Sequence, residues 1–319
     1  MLKRLLIYLS RARWAQRLIS RWGFARRTAL RFVAGEQLSD AIRAVKELNE
    51  SGVQATLDYL GENNQTEAET REATDRLIEV LDAIHENNLR ANLSLKLSQI
   101  GLLLSEELCE QNLFRVLDEA ARFGIFVRID MEDSPLTEQT ITIFEHALQK
   151  GYINTGIVLQ AYLYRTGQDL QRLGRLNARI RLVKGAYKEP ADVAFPAMAD
   201  VNVNFDRLVG ELLEISQRAG FPAASPDGIV PPIPAIGTHA SSHINTTIEM
   251  MQKIQAPANS VEFQLLYGIR RDLQKSLVDR GYPVRVYTPF GTQWYPYFMR
   301  RLAERPANLK FFLSNFIKG

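Results

Sequence analysis

Ionisable and amide side chains sit in or at the ends of short apolar runs throughout this 319-residue chain. The runs are Gln54 to Tyr59, Ala91 to Leu97, Ile125 to Met131, Ile157 to Leu163, Ile180 to Tyr187, Pro234 to His239, Val261 to Tyr267 and Val284 to Pro289. In order they carry Asp58, Lys96, Asp130, Gln160, Lys184, His239, Gln264 and Tyr287. An ammonium inside an apolar run is costly to bury unless it has a partner or a task. Lys96 and Lys184 therefore have three readings: a Schiff-base amine, an anion-binding group, or half of a structural ion pair. Asp130 is the expected partner of Lys96, and that pairing would keep both charged near neutral pH. His239 precedes His243 by four residues, which suits two metal ligands on one helix face, but the chain has only 4 histidines. No metal site is expected, and Thr238 and His239 are read as hydrogen-bond donors to a bound ligand.

Arg300 and Arg301 form the sharpest local feature. Adjacent helical positions point about 100° apart, so both flank one ligand only if the helix end lies over a cavity. Guanidinium forks match a carboxylate bidentately, and Tyr297 and Glu304, three residues to either side, would share their face. Against a solvated basic helix end, this grouping suggests a clamp for a small carboxylate-bearing substrate. There is no Gly-x-Gly-x-x-Gly and no P-loop, so a phosphorylated cofactor would have to be held by strand-end cations such as Arg181 and Lys184. Pattern alone leaves a Schiff-base lyase and a flavin enzyme both open.

The elements that must position these residues alternate regularly. Helical patterns fill the gaps between the runs at Thr66 to Asn88, Ser105 to Phe123, Thr137 to Lys150, Asp169 to Ala178, Asn204 to Ala219, His243 to Ile254 and Asp272 to Asp279. Strand and helix take turns from about residue 53 onward, which argues for one parallel α/β sheet. Eight repeats favour a closed (βα)8 barrel, whose site is built at the C-terminal ends of its strands. The longest insertion, Glu189 to Pro234, is rich in proline near its end and reads as a loop over or beside the site. The segment Thr292 to Phe316 is helical in pattern, but it has more charge and aromatic residues than an ordinary outer helix needs.

With 46% hydrophobic and 24% charged residues the composition is that of a globular protein. No apolar run approaches the roughly 18 residues needed to cross a bilayer. The single cysteine, Cys109, excludes a disulfide framework and a cysteine-rich metal site. The net charge of +3 conceals an asymmetry: residues 1–35 carry Lys3, Arg4, Arg11, Arg13, Arg17, Arg21, Arg26, Arg27 and Arg31 and no acidic residue, with Leu5, Leu9, Trp14, Leu18 and Trp22 among the interspersed apolar positions. This basic amphipathic arm has three readings: a structural arm docked on the barrel, a helix on an anionic membrane surface, or a transit peptide. The third ranks last, because the motif Arg31 to Glu36 runs on directly from the arm. Two domains are expected, the arm at 1–35 and the barrel at 36–319.

Several motifs then appear in order: Phe32-Val33-Ala34-Gly35-Glu36, Ser94-Leu95-Lys96-Leu97-Ser98, Arg128-Ile129-Asp130-Met131-Glu132, Arg181-Leu182-Val183-Lys184-Gly185-Ala186-Tyr187, Glu262-Phe263-Gln264-Leu265-Leu266-Tyr267-Gly268 and Arg285-Val286-Tyr287-Thr288-Pro289-Phe290-Gly291. With Tyr297, Arg300, Arg301 and Glu304 they resemble bacterial monofunctional proline dehydrogenase from about residue 30 onward. The resemblance implies a distorted (βα)8 TIM barrel whose final helix lies over the barrel mouth. It implies non-covalent FAD and oxidation of L-proline to Δ1-pyrroline-5-carboxylate, with electrons passed to a membrane quinone. It assigns Lys96, Arg300 and Arg301 to the substrate carboxylate and Leu266, Tyr287 and Tyr297 to the ring. Asp130 would order Lys96, and Glu304 would support the arginines. It assigns Met131, Gln160, Arg181, Lys184, Gly185, Ala186, Thr238 and His239 to the flavin, with Arg181 near its N5. The bulk of Tyr297 would favour proline over a 4-hydroxylated substrate. The aldehyde-oxidising and DNA-binding segments of larger bifunctional relatives have no counterpart, so a separate pyrroline-5-carboxylate dehydrogenase and no nucleic-acid partner are expected. The expected setting is cytoplasmic, with peripheral contact at the inner face of the cell membrane under the second reading of the arm.

Overall fold

Ala55 and Leu57 alternate with Thr56 and Asp58, and Leu93 and Leu95 alternate with Asn92, Ser94 and Lys96. A two-residue period sends the two sets to opposite faces of a sheet. All of these residues are buried, so both faces are covered, as a parallel sheet ringed by helices requires. The computed structural model describes residues 30–187 and 189–304, the last three by their backbone. Its eight strands are β1 (Gln54–Tyr59), β2 (Ala91–Lys96), β3 (Val127–Asp130), β4 (Thr155–Gln160), β5 (Arg179–Val183), β6 (Pro234–Gly237), β7 (Glu262–Leu266) and β8 (Val284–Phe290). They pair in sequence order, all parallel, and β8 closes on β1 with Gln54 opposite Arg285 and Tyr59 opposite Phe290. The expected closed barrel is the observed architecture.

The α-helices among the described residues are α1 (Leu38–Glu50), α2 (Glu67–Glu86), α3 (Glu106–Arg122), α4 (Thr137–Gln149), α5 (Thr166–Gly174), α6 (Met198–Arg218), α7 (Ser241–Lys253), α8 (Arg271–Asp279) and α9 (Trp294–Glu304). Their starts follow local chemistry. The Thr66 hydroxyl accepts the Glu69 N–H while the Glu69 carboxylate accepts the Thr66 N–H, a reciprocal cap that begins α2. Helix α1 lies outside the alternation that starts at residue 53. It packs against β1 and β8, the place in the outer ring that a helix after β8 would otherwise take.

The last helix is thereby released to the mouth, and a second apolar cluster holds it there. Trp294, Tyr295, Tyr297, Phe298 and Met299 pack with Phe32, Val33, Leu60 and Ile269. The motif Phe32 to Glu36 thus has a structural task. Ala34 N–H donates to the Pro289 carbonyl at 2.8 Å, and the Trp294 indole donates to Glu36 at 3.1 Å. Gly268, at φ +72°, lets this strap pass, since a Cβ there would lie 1.7 Å from the Arg31 carbonyl oxygen. Residues 1–29 of the basic arm lie outside the described residues.

The proline-rich end of the insertion corrects one expectation. Asn92 donates to the Ile229 carbonyl at 3.2 Å, Arg179 donates to that of Pro231 and Arg285 to that of Gly228. Those three side chains belong to the N-terminal halves of β2, β5 and β8. Residues 225–234 therefore close the barrel floor, at the end opposite the strand ends that carry the candidate site.

Candidate active site

Register brings the strand-end residues together. Lys96 on β2 is directly paired with Asp130 on β3, and both point inward on the parity of Asn92, Ser94 and Arg128. A cavity of about 420 Å³ opens at the C-terminal ends of the strands, within the range of about 300–1,000 Å³ usual for small-molecule sites. Lys96, Asp130, Met131, Gln160, Arg181, Lys184, Gly185, Ala186, Thr238, His239, Leu266, Tyr287, Tyr297, Arg300 and Arg301 all line it. Glu304 is described by its backbone alone, so the support expected from its side chain falls outside the described residues.

Asp130 is the hub of the wall. It accepts from Ser94 Oγ at 2.6 Å, from Tyr287 Oη at 2.7 Å and from the Arg181 guanidinium, and it lies 3.7 Å from Lys96 Nζ. Burial pushes its carboxyl upward, but Arg181 and Lys96 outweigh that, and the net shift is down. The nearer partner of Lys96 is Asp58, at 3.2 Å, so the expected Lys96–Asp130 pair is one side of a Lys96–Asp58–Asp130 cluster. Burial presses the Lys96 ammonium toward neutrality, yet the two carboxylates prevail and hold it well above its ordinary value. A lysine so firmly protonated is a good anion ligand and a poor Schiff-base nucleophile.

The flavin-side candidates occupy the ends of β3 to β6. Gln160 donates to the Met131 carbonyl at 3.4 Å, while its own Oε1 and Arg181 Nε are buried without a protein partner. Lys184 donates to Asn202 Oδ1 at 2.6 Å, and burial lowers its pKa. Gly185 has φ +111°, and a Cβ there would meet the Tyr162 ring at 2.3 Å, so the chain turns closely past that ring only with glycine. His239 Nε2 accepts the Leu266 N–H at 3.0 Å, which assigns the proton of the neutral imidazole to Nδ1. His243, its candidate co-ligand, bonds Asp206 at 2.6 Å through Nδ1.

Three residues at the site, Glu62, Tyr187 and Met198, carried no expectation. Glu62, three residues beyond β1, meets Arg300 at 2.6 Å and supplies the carboxylate that supports this arginine. Tyr187 and Met198 also line the cavity. Gln264 accepts from Arg181 at 3.2 Å and donates to Glu262 at 2.6 Å, and Glu262 forms a fully buried ion pair with Arg285 at 2.9 Å. A polar column thus runs from the cavity to the floor. Arg301 stacks its guanidinium 5.1 Å from the Tyr297 ring centre, a cation–π contact that fixes the fork beside the ring.

The family model described as proline dehydrogenase matches residues 41–313. The chain belongs to the proline dehydrogenase family. Proline dehydrogenase 1 of Bacillus subtilis (strain 168) is 41% identical over 319 residues, covering 100% of both chains. The proline dehydrogenase of Deinococcus radiodurans is 38% identical over 295 residues, 91% of this chain and 90% of the relative. Among solved structures, proline utilization A from Bdellovibrio bacteriovorus, inactivated by N-propargylglycine, superposes with a TM-score of 0.79 at 23% identity. That match covers 88% of this chain and 33% of the larger one, and it shares the barrel fold. As a proline dehydrogenase family member, this chain has the barrel that its motifs imply, with the mouth covered by α9.

Proposed function

We propose that this chain catalyses the FAD-dependent oxidation of L-proline to Δ1-pyrroline-5-carboxylate, with electrons passed to a quinone, as the first step of proline degradation to glutamate. The observation that carries the reading is the convergence of Arg300 and Arg301 from above and Lys96 from below on one cavity that also holds Arg181. Arg300, Arg301 and Lys96 around so small a space suit an amino-acid carboxylate, and a planar fork fixes its orientation as well as its charge. Tyr287, Tyr297 and Leu266, which line the same cavity, are assigned to the ring. Tyr297 would crowd a 4-hydroxyl, which favours proline.

Non-covalent FAD fits the residues present. The unpartnered Gln160 Oε1 and Arg181 Nε are buried polar atoms on the cavity wall that are open to a ligand. Ala240 precedes the 13-residue helix α7 and offers no side-chain cap, so the first N–H groups of α7, with Lys184, suit a diphosphate. Met131, Gly185, Ala186, Thr238 and His239 complete the proposed cofactor wall. FAD, when bound, supplies the two-electron acceptor for the substrate C–H bond. The chain contributes position and exclusion of water: the clamp fixes the carboxylate, the tyrosines fix the ring plane, and α9 covers both. Asp130 holds Arg181, Tyr287 and Lys96 in one arrangement. Glu304 is assigned, with Glu62, to the support of the arginines.

Residues 36–319 are proposed as the catalytic domain; of the arm at 1–35, Phe32–Gly35 dock on that domain as the strap, and the basic stretch before them is proposed to meet the membrane where a quinone resides. A separate pyrroline-5-carboxylate dehydrogenase would take the product onward. Purified protein is expected to be yellow and to lose its flavin absorption on anaerobic titration with proline. N-propargylglycine is expected to abolish that bleaching. Colourless protein that FAD cannot reconstitute overturns the cofactor, and yellow protein that proline does not bleach overturns the substrate. Flotation with anionic liposomes that survives deletion of residues 1–30 overturns the arm as the membrane contact.

A further inference from the structure

Glu132 is a buried carboxylate, 4% exposed, just beyond the end of β3, and the chemistry above does not use it. Both of its oxygens are engaged by one residue: Ser98 N–H donates to Oε1 at 2.9 Å and Ser98 Oγ–H donates to Oε2 at 2.5 Å. Ser98 lies in the short 3₁₀ turn Leu97–Gln99 that follows β2. Its hydroxyl oxygen in turn accepts the Asn63 N–H at 3.2 Å. Asn63 has φ +62°, a left-handed conformation that a non-glycine residue adopts at some cost and that needs fixing. The same turn grips the loop twice more, since Asn64 donates to the Gln99 carbonyl at 2.7 Å and Gln99 donates to the Tyr59 carbonyl at 2.9 Å. Between Tyr59 and Asn63 stands Glu62, the ion-pair partner of Arg300.

We propose that Glu132 is a positioning residue for the carboxylate clamp, acting through Ser98 and Asn63 on the loop that holds Glu62 against Arg300. This rests on the reading of Arg300 as a substrate ligand. The direction of the hydrogen bonds gives the device a protonation state. Ionised Glu132 accepts both Ser98 donors and leaves the hydroxyl oxygen to receive Asn63. Protonated Glu132 either turns its O–H toward Ser98 Oγ, which strands the serine proton, or carries the proton on Oε1, which weakens the bond from the Ser98 N–H; both weaken the tie. Lys96 from β2, Glu62 from the β1 loop, Cys109 from α3 and Tyr187 beyond β5 are the charged or titratable groups that face Glu132. Lys96 is held charged, while burial pushes the Cys109 thiol and the Tyr187 hydroxyl well above neutrality. Burial pushes Glu132 up against the opposing Ser98 bonds and Lys96, to about 7. The tie is therefore complete above neutral pH and loosens below it.

The test uses the flavin-loaded enzyme with Glu132→Gln and Ser98→Ala. It reads proline KM and kcat across neutral pH, together with amide hydrogen exchange of residues 60–66. A carboxamide puts an NH2 donor where one of the two accepting oxygens stood, so one Ser98 donor loses its partner, and Glu132→Gln is expected to raise KM about fivefold above neutral pH, with kcat changed less than about twofold. It is also expected to flatten the part of the kcat/KM profile centred near pH 7 and to speed exchange of 60–66. Ser98→Ala is expected to raise KM and exchange in the same way. Wild-type KM and wild-type exchange in both variants overturn the proposal, as does a joint fall of kcat and melting temperature without a change in KM. If proline fails to bleach the wild-type flavin, the functional reading falls, and exchange of 60–66 still decides the tie.

Discussion

The two halves of the cavity are built differently. Its wall hangs from β2, β3, β5 and β8, where Asp130 alone receives Arg181, Ser94 and Tyr287 and every strand is paired on both sides. Its cover is α9, seated on the aromatic cluster with Phe32 and Val33 and tied to the β1 loop through Glu62 and Arg300. A wall of this kind moves only if the barrel opens, whereas a helix resting on side chains can shift while the sheet stays intact. The proposed cofactor residues all lie on the strand-borne wall. The proposed substrate contacts are divided, with Lys96, Leu266 and Tyr287 on the strands and Tyr297, Arg300 and Arg301 on the cover.

Perturbing each half should therefore give a different signature. The largest effect is expected from Asp130→Ala, which leaves Arg181 and Lys96 buried without their shared carboxylate. Breaking a buried pair in this way costs about 3–5 kcal/mol. Turnover should fall about 10³-fold with loss of bound flavin, and normal kcat with full flavin content would remove Asp130 as the hub. Arg300→Lys and Arg301→Lys should spare the flavin and raise proline KM about 10- to 100-fold, because an ammonium cannot replace a bidentate fork. An equal loss of kcat at unchanged KM would place these residues in the wall's class.

Phe298→Ala tests the separateness of the cover. Phe298 is fully buried beside Phe32 and Trp294, and such truncations cost about 3–5 kcal/mol where the site cannot collapse. If the cover yields alone, KM rises several-fold while the barrel's thermal transition holds its position; a transition lowered in full would merge the two halves. The smallest effect is on stability against pH. The Glu132 pKa is raised from 4.5 unfolded to about 7 folded, so between those values the folded state binds more protons and stability falls as pH rises. Glu132→Gln should therefore gain melting temperature relative to wild type above pH 7 and lose that advantage toward pH 4.5. A constant difference across the range would contradict the buried, titrating carboxylate.

The barrel was legible because its signal is local: apolar runs of strand length, each followed by a helical pattern, recur eight times. The placement of Arg300 and Arg301 over the mouth came from resemblance, since spacing alone cannot say where a helix end lies. Helix α1 has a helical apolar spacing, with Leu38, Ala41, Ile42, Val45 and Leu48 on the core side, but it precedes the first strand and so stands outside the alternation that marks the other helices. The floor segment 225–234 was misplaced although topology could have located it, because a connection entering β6 must arrive at that strand's N-terminal end. Glu62 had no local mark. Its partner is 238 residues away in sequence, and no pattern within Gly61-Glu62-Asn63-Asn64 anticipates it.

The indole of Trp294 reaches Glu36 across 258 residues of chain, and this long span dictates an order of events during synthesis. A growing polypeptide can pair β1 to β7 as each strand emerges, yet Phe32 and Val33 must wait for almost the entire translation before their aromatic partners exist. Until then the Phe32–Glu36 strap presents apolar surface on an open barrel. The proposed clamp is consequently the last part of the site that the ribosome makes possible, and a chain truncated before Trp294 would have the strand-borne wall of the cavity but neither arginine of its cover.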